Sequence, residues 1–205
     1  MSYTSFEFLI FFPVVFLVYW LLCRKSKTLQ NVWIVCASLF FYGWCDWRFM
    51  GLLLVSAFST YLAGLWMEKE DTNDKKRWLI SFGSIVLNLG ILFFFKYYNF
   101  FVQAFADAFT LFGKELSVST LNIILPIGIS FYTFSALSYS IDVYRRRVNT
   151  TKDILAYLAY VLFFPSLLSG PISRAAKQLP QYLEKREFRY AEAVNACKII
   201  LWGGA

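Results

Sequence analysis

Side chains able to do acid–base, nucleophilic or metal chemistry are few in this 205-residue chain. It contains no His, which excludes a Ser–His triad and the common His/Cys zinc sites, so no metal is expected. The four Cys, at 23, 36, 45 and 197, form no C-x-x-C pair and read as small apolar residues. No Walker loop, G-x-S-x-G elbow or H-E-x-x-H helix occurs. Glu68, Glu70 and Asp71 crowd a hydrophilic tract and read as solvated carboxylates. Lys96 and Asp142 are the nearest candidates for a proton acceptor, but each closes an apolar run, where interface anchoring is the simpler reading. The uncharged run 121–141 is rich in hydroxyls and carries Ser130, Phe131 and Tyr132 near its middle. Those hydroxyls need partners, so the run faces protein or water rather than lipid alone. Ser169, Gly170 and Pro171 read as a turn that breaks a helix. At membrane depth such a turn is tolerated only where it lines a cavity or is packed in protein. Arg174, just beyond it, is placed to meet a phosphate or donor carrier, or equally a lipid headgroup.

The elements that must position these residues are set by composition. Apolar residues make up 59% of the chain and charged ones 16%, against about half and about a quarter in soluble domains. That much apolar surface requires a bilayer. The runs 6–23, 32–44, 49–67, 78–95 and 121–141 read as membrane spans, all but the short 32–44 near the ~20 residues a crossing helix needs. The tract 68–77 has no apolar residue and reads as a loop. In 96–113, Phe101, Phe105, Phe109 and Phe112 share one helical face and Asn99, Gln103 and Asp107 another, which predicts an amphipathic interfacial helix. The run 154–169 is short and interrupted by Pro165, so it is expected to be a re-entrant or half-span segment. Residues 172–189 are polar and basic, and another helix starts near Tyr190.

No basic region precedes the first apolar run and no cleavage site follows it, so the run reads as a retained span. Lys and Arg collect in the tracts after the first, third and fifth runs, which predicts that those tracts are cytoplasmic and the N-terminus extracytoplasmic. The net charge of +7 is therefore a topology and headgroup signal, with the bilayer as partner and no nucleic acid. No repeat or linker divides the chain, so residues 1–205 read as a single membrane domain.

Three segments resemble a known family, the membrane-bound O-acyltransferases. They are LFFYGWCDWRFMGLLLVSAFSTYLAG (39–64), LPIGISFYTFSALSYSIDVYRRRV (125–148) and FFPSLLSGPISRAAKQLPQ (163–181), with LGILFFFKYYNFF (89–101) between the first two. The nearest branch is similar to the enzymes that O-acetylate alginate and other exported polysaccharides. The resemblance implies an all-α, polytopic transmembrane bundle, the front part of a ring with broken and interfacial helices. It implies an acyl donor, acetyl-CoA or a carrier-linked acyl group, with no bound cofactor. It also implies a glycan acceptor, an extracytoplasmic acetyltransferase partner and a location in the inner membrane. Ser130, Phe131 and Tyr132 would then line the catalytic chamber, the alternative being helix–helix hydrogen bonding. The family's general base is a His beyond the part matched here, and no His is present. With the chain stopping at LWGGA partway through a helix, residues 1–205 are expected to be the N-terminal portion of a longer enzyme, inactive alone. Two other classes compete. A polysaccharide or lipid-carrier transporter would share the broken helices, but it calls for paired halves or intramembrane charges that are not seen. A non-catalytic scaffold fits the missing His.

Overall fold

A computed structural model describes residues 6–111, 126, 128–167 and 174–203, and every regular element among them is helical. Helix α1 (Phe6–Leu21) passes unbroken through Pro13 and ends in a 3-10 turn, Cys23–Lys25. Ser26 is extended, accepts from Thr28 N, and starts α2 (Lys27–Asp46), five residues earlier than the apolar run suggests. Asp46 is extended again and caps a second 3-10 turn, Trp47–Phe49, by accepting from Arg48 N at 3.2 Å. The chain then reverses into α3 (Met50–Lys69). Two stretches, 27–69 and 74–98, are long and apolar enough to cross a bilayer. The first contains the Asp46 turn and so holds two passes.

Two expectations need correction here. The tract 68–77 is mostly helical: α3 runs to Lys69 and α4 starts at Asp74, capped by Asn73, whose Oδ1 accepts from Lys76 N at 3.1 Å. No separate interfacial helix begins at Lys96. Helix α4 (Asp74–Leu111) is continuous over 38 residues, about 57 Å at 1.5 Å per residue. The amphipathic pattern is real, but no Gly, Pro or capping residue interrupts the backbone near Lys96, so the helix propagates.

Helix α5 (Ile129–Tyr144) starts later than the run 121–141 predicts, because Gly128 sits in the left-handed region at φ 74°. It closes with Arg146 at φ 57° and Arg147 N donating to Asp142 O, the left-handed cap that usually falls to Gly. The run 154–169 is broken as expected: α6 (Ile154–Val161) and α7 (Phe164–Leu167) are separated at Leu162–Phe163. Within the polar stretch after it lies a helix that composition hides, α8 (Ala175–Leu183). Ala175, Leu179 and Tyr182 form its buried face. Helix α9 (Tyr190–Gly203) begins where the sequence places it.

Polar contacts gather the basic tracts at one end of the molecule. Lys152 pairs with Glu68 at 3.8 Å, Arg146 with Asp71 and Asp74 at 3.5 Å, and Lys27 with Asp153 at 3.5 Å. Lys27 Nζ also donates to Leu183 O at 3.4 Å. One lysine thus holds both the start of α6 and the end of α8, so the segment 153–183 leaves this end and returns to it. Its helices of 8, 4 and 9 residues are each far shorter than a ~30 Å crossing requires.

Large apolar side chains stay exposed all along the outer faces of α1 and α4, among them Leu9, Phe12, Leu17, Phe82, Val86 and Phe93. Exposed apolar surface on this scale is a lipid face. The interior is packed differently. On α3, Ser56, Ala57, Thr60 and Gly64 form a strip of small residues, and a Cβ on Gly64 would lie 2.8 Å from the Tyr139 ring of α5. Hydroxyls and amides then bridge the closely approached helices. Ser56 and Asn88 join α3 to α4, Tyr157 OH donates to Ala57 O and contacts Thr60 Oγ1, and Tyr160 OH donates to Ser135 O.

Candidate functional site

The hydroxyl-rich helix α5 is where polar groups concentrate inside the fold. Its first turn is uncapped by any side chain. Ile129 N reaches Pro126 O at 3.3 Å and Tyr132 N reaches Gly128 O at 3.1 Å. At 16 residues α5 is about 24 Å long, and its other end is fixed at the basic surface by Arg77. Its start therefore lies inside the ~30 Å apolar layer rather than at its far edge. Irregular backbone is stable at such depth only when surrounded by protein or lining a cavity.

Of the residues singled out in the sequence, Ser130 and Phe131 are half-buried on this turn and Tyr132 is 1% exposed. Tyr132 packs edge-on against Tyr42 of α2, also 1% exposed, with ring centroids 6.4 Å apart. The two hydroxyls are near enough to interact, yet neither meets good hydrogen-bond geometry with a partner among the described residues. Thr133 Oγ1 is also buried without a partner among the described residues. Two phenols and a threonine hydroxyl thus lie buried near the uncapped start of α5. Each unmade hydrogen bond costs about 1–3 kcal/mol.

Arg174 is exposed and starts α8. It is not brought to the first turn of α5. The first amides of α8 dock further along: Ala175 N donates to Ser138 Oγ at 3.0 Å and Ala176 N to Asp142 Oδ2 at 3.2 Å. Ser138 lies about 12 Å from Ser130 along the helix. Ser169, Gly170 and Pro171 lie outside the described residues. Lys96 is exposed over the Tyr97 ring, and Asp142 is a buried cap for α8. The described residues hold no cluster of three or more metal-ligating side chains.

Two cations, one buried and one half-buried, were not singled out by the sequence. Arg77, 4% exposed, donates to Met67 O at 3.0 Å, Asp71 Oδ1 at 2.7 Å and Val143 O at 3.0 Å. It thereby ties the C-terminal carbonyls of α3 and α5 to α4. Arg186, in the loop after α8, donates to Asn31 Oδ1 and lies over the rings of Tyr182 and Tyr19, at 5.0 and 5.5 Å. Burial pushes its guanidinium below the ordinary pKa, and the Tyr19 and Tyr182 phenols pull it back up. An Arg remains charged at any physiological pH. In the sequence both look like ordinary members of basic tracts. Their only local signal is the paired amide Gln30–Asn31 that receives Arg186.

Crossing helices, lipid-facing flanks and a hydroxyl-bonded interior define a helical membrane protein. The chain is 38% identical over 187 residues to a protein of Pseudomonas aeruginosa named probable alginate O-acetylase AlgI, covering 89% of this chain and 34% of that one. It is 36% identical over 185 residues to the protein of that name in Azotobacter vinelandii, covering 89% and 36%. It is 33% identical over 202 residues to the peptidoglycan O-acetyltransferase of Helicobacter pylori, covering 85% and 37%. The matched residues belong to the membrane-bound O-acyltransferase family. The chain spans about a third of the length of these relatives. No family profile matches it, and no solved structure does.

Proposed function

We propose that this chain is a membrane-embedded portion of an O-acyltransferase that acetylates an exported polysaccharide at the inner membrane. Identity above 30% with alginate and peptidoglycan O-acetylating proteins, over most of the chain, carries this reading. The ester forms when a sugar hydroxyl loses its proton and attacks the carbonyl of an activated acetyl group, and the donor's leaving group departs. Acetyl-CoA or a carrier-linked acetyl group is the donor and an extracytoplasmic acetyltransferase a partner. A base for the hydroxyl proton is best supplied by His, and none lies in these residues. Their contribution is to shape the chamber: the uncapped first turn of α5, with Ser130 and the hydroxyls of Tyr42 and Tyr132, offers donors to a developing oxyanion. A host lacking its own alginate O-acetylase tests this. The full protein should restore acetyl esters on the secreted polymer, read by proton NMR. Correctly inserted protein that restores none sinks the reading. Tyr132→Phe should cut acetylation about two- to tenfold, the span of one neutral hydrogen bond, at unchanged membrane abundance. Unchanged acetylation would make Tyr132 a packing residue only.

A further inference from the structure

Beside α1 runs a groove of about 310 Å³, walled by Phe12, Val15 and Phe16 on one side and by Ile34, Phe164 and Pro165 on the other. Along α1 it extends from Phe12 to Trp20, about 12 Å. Its lining is apolar except at one end, where Gln181, Tyr182 and Arg186 close it. That end is the basic end of the molecule, since Arg186 contacts Asn31 one turn beyond Lys27.

Arg186 is unlike the other cations there. Among the described side chains only Lys27, Arg77 and Arg186 are cations that are not exposed; Lys27 and Arg77 pair with Asp153 and Asp71, whereas Arg186 has no carboxylate within 4 Å. Among the described residues its guanidinium meets one neutral oxygen and two aromatic faces, and its buried Nε has no partner. A half-buried cation without an anion is costly, and five N–H donors are more than this environment uses. The side chain's bond to Asn31 is not the only tie on its loop. Gln30 holds the loop through the backbone, its Nε2 donating to Arg186 O at 2.9 Å and its Oε1 accepting from Arg186 N at 3.1 Å. Lys27 adds a bond to Leu183 O.

We infer that this groove seats one anionic phospholipid of the leaflet at the basic end, its acyl chain between α1 and the α6–α7 break and its phosphate on Arg186. The chemistry is complementary at both ends. A dry aliphatic and aromatic slot takes a chain, and an unneutralised fork donor at headgroup level takes a phosphate. Trp20 and Tyr19 sit at that level, as interfacial aromatics do. The site is separate from the first turn of α5 and does not depend on the acyltransferase reading.

Native mass spectrometry of the full protein, purified from membranes and titrated with phosphatidylglycerol or phosphatidylcholine, tests it. One tightly held phosphatidylglycerol is expected, with phosphatidylcholine retained at least about tenfold less, because its choline cation offsets the phosphate charge and sets a like charge near Arg186. Arg186→Met keeps the apolar stem and should abolish the preference, while Lys198→Met, an exposed charge on α9, should leave it intact. If Arg186→Met fails to fold, Phe16→Trp narrows the slot without touching the guanidinium and should lower retention of the lipid. Equal retention of the two lipids, equal loss in Arg186→Met and Lys198→Met, or the groove proving to be filled by another stretch of protein would each overturn the inference.

Discussion

Glycines at helix contacts set a sharp test of packing at single positions. A Cβ on Gly64 would lie 2.8 Å from Tyr139 Cε1 and 2.9 Å from its hydroxyl, whereas nothing lies within 4 Å of one on Gly51. Gly64→Val should therefore destabilise the detergent-solubilised protein by about 1–3 kcal/mol through overpacking. Gly51→Ala should be neutral or raise the melting temperature, since Ala is the better helix former by about 1 kcal/mol. Arg77 is the second test. Arg77→Met strands the carbonyls of Met67 and Val143 and should cost about 2–3 kcal/mol by thermal melting. Arg77→Lys keeps the charge and should recover only part of that, because an ammonium cannot fork to two helix ends. Residues of this kind were illegible in the sequence for a simple reason. Arg77 stands last in a tract of charges, and which of them turns inward depends on where α4 begins. Tyr42 was missed likewise, since nothing local marks one aromatic among many as the partner of Tyr132.

Elements were legible where apolar length decides and illegible where capping does. The long runs gave α1 to α5 and the break in 154–169, because hydropathy and proline act locally. Helix α8 was missed because its polar face dominates its composition and its N-terminus is capped from another helix, by Ser138 and Asp142 of α5. The cap is testable. Asp142→Ala should cost about 1 kcal/mol, the worth of an N-cap, and speed hydrogen exchange at Ala176. Asp142→Asn, whose amide oxygen still accepts, should behave close to the native protein. Continuity of α4 is a second expectation at this scale. A helix unbroken through Lys96 should give spin-label distances between Trp78 and Phe100 positions of about 33 Å along the axis, at 1.5 Å per residue. A hinge at Lys96 would shorten them.

At the scale of the molecule, the ion pairs and the double contact of Lys27 bring the loops before α2, α4, α6 and α9 to one end. The charge count in the sequence predicts the same grouping, because positive residues are sorted to one side of a membrane. The basic loop after α8 joins the same end, since Lys27 meets Leu183 and Gln30 meets Arg186. Cysteines placed at Lys75, Arg145 and Lys185 should all react with an impermeant maleimide from one face of sealed vesicles, and one at Trp47 only from the other. Mixed labelling among the first three would refute the re-entrant arrangement. The same closure orders events during synthesis. Gln30 and Asn31 are buried against Arg186 and Tyr182, 156 and 151 residues later in the chain. At about 5–20 residues per second of translation, those amides wait roughly 8–30 s for their partners. A nascent chain caught in that interval carries two unsheltered carboxamides at the membrane surface, a mark by which insertion chaperones and proteases can tell a half-made protein from a finished one.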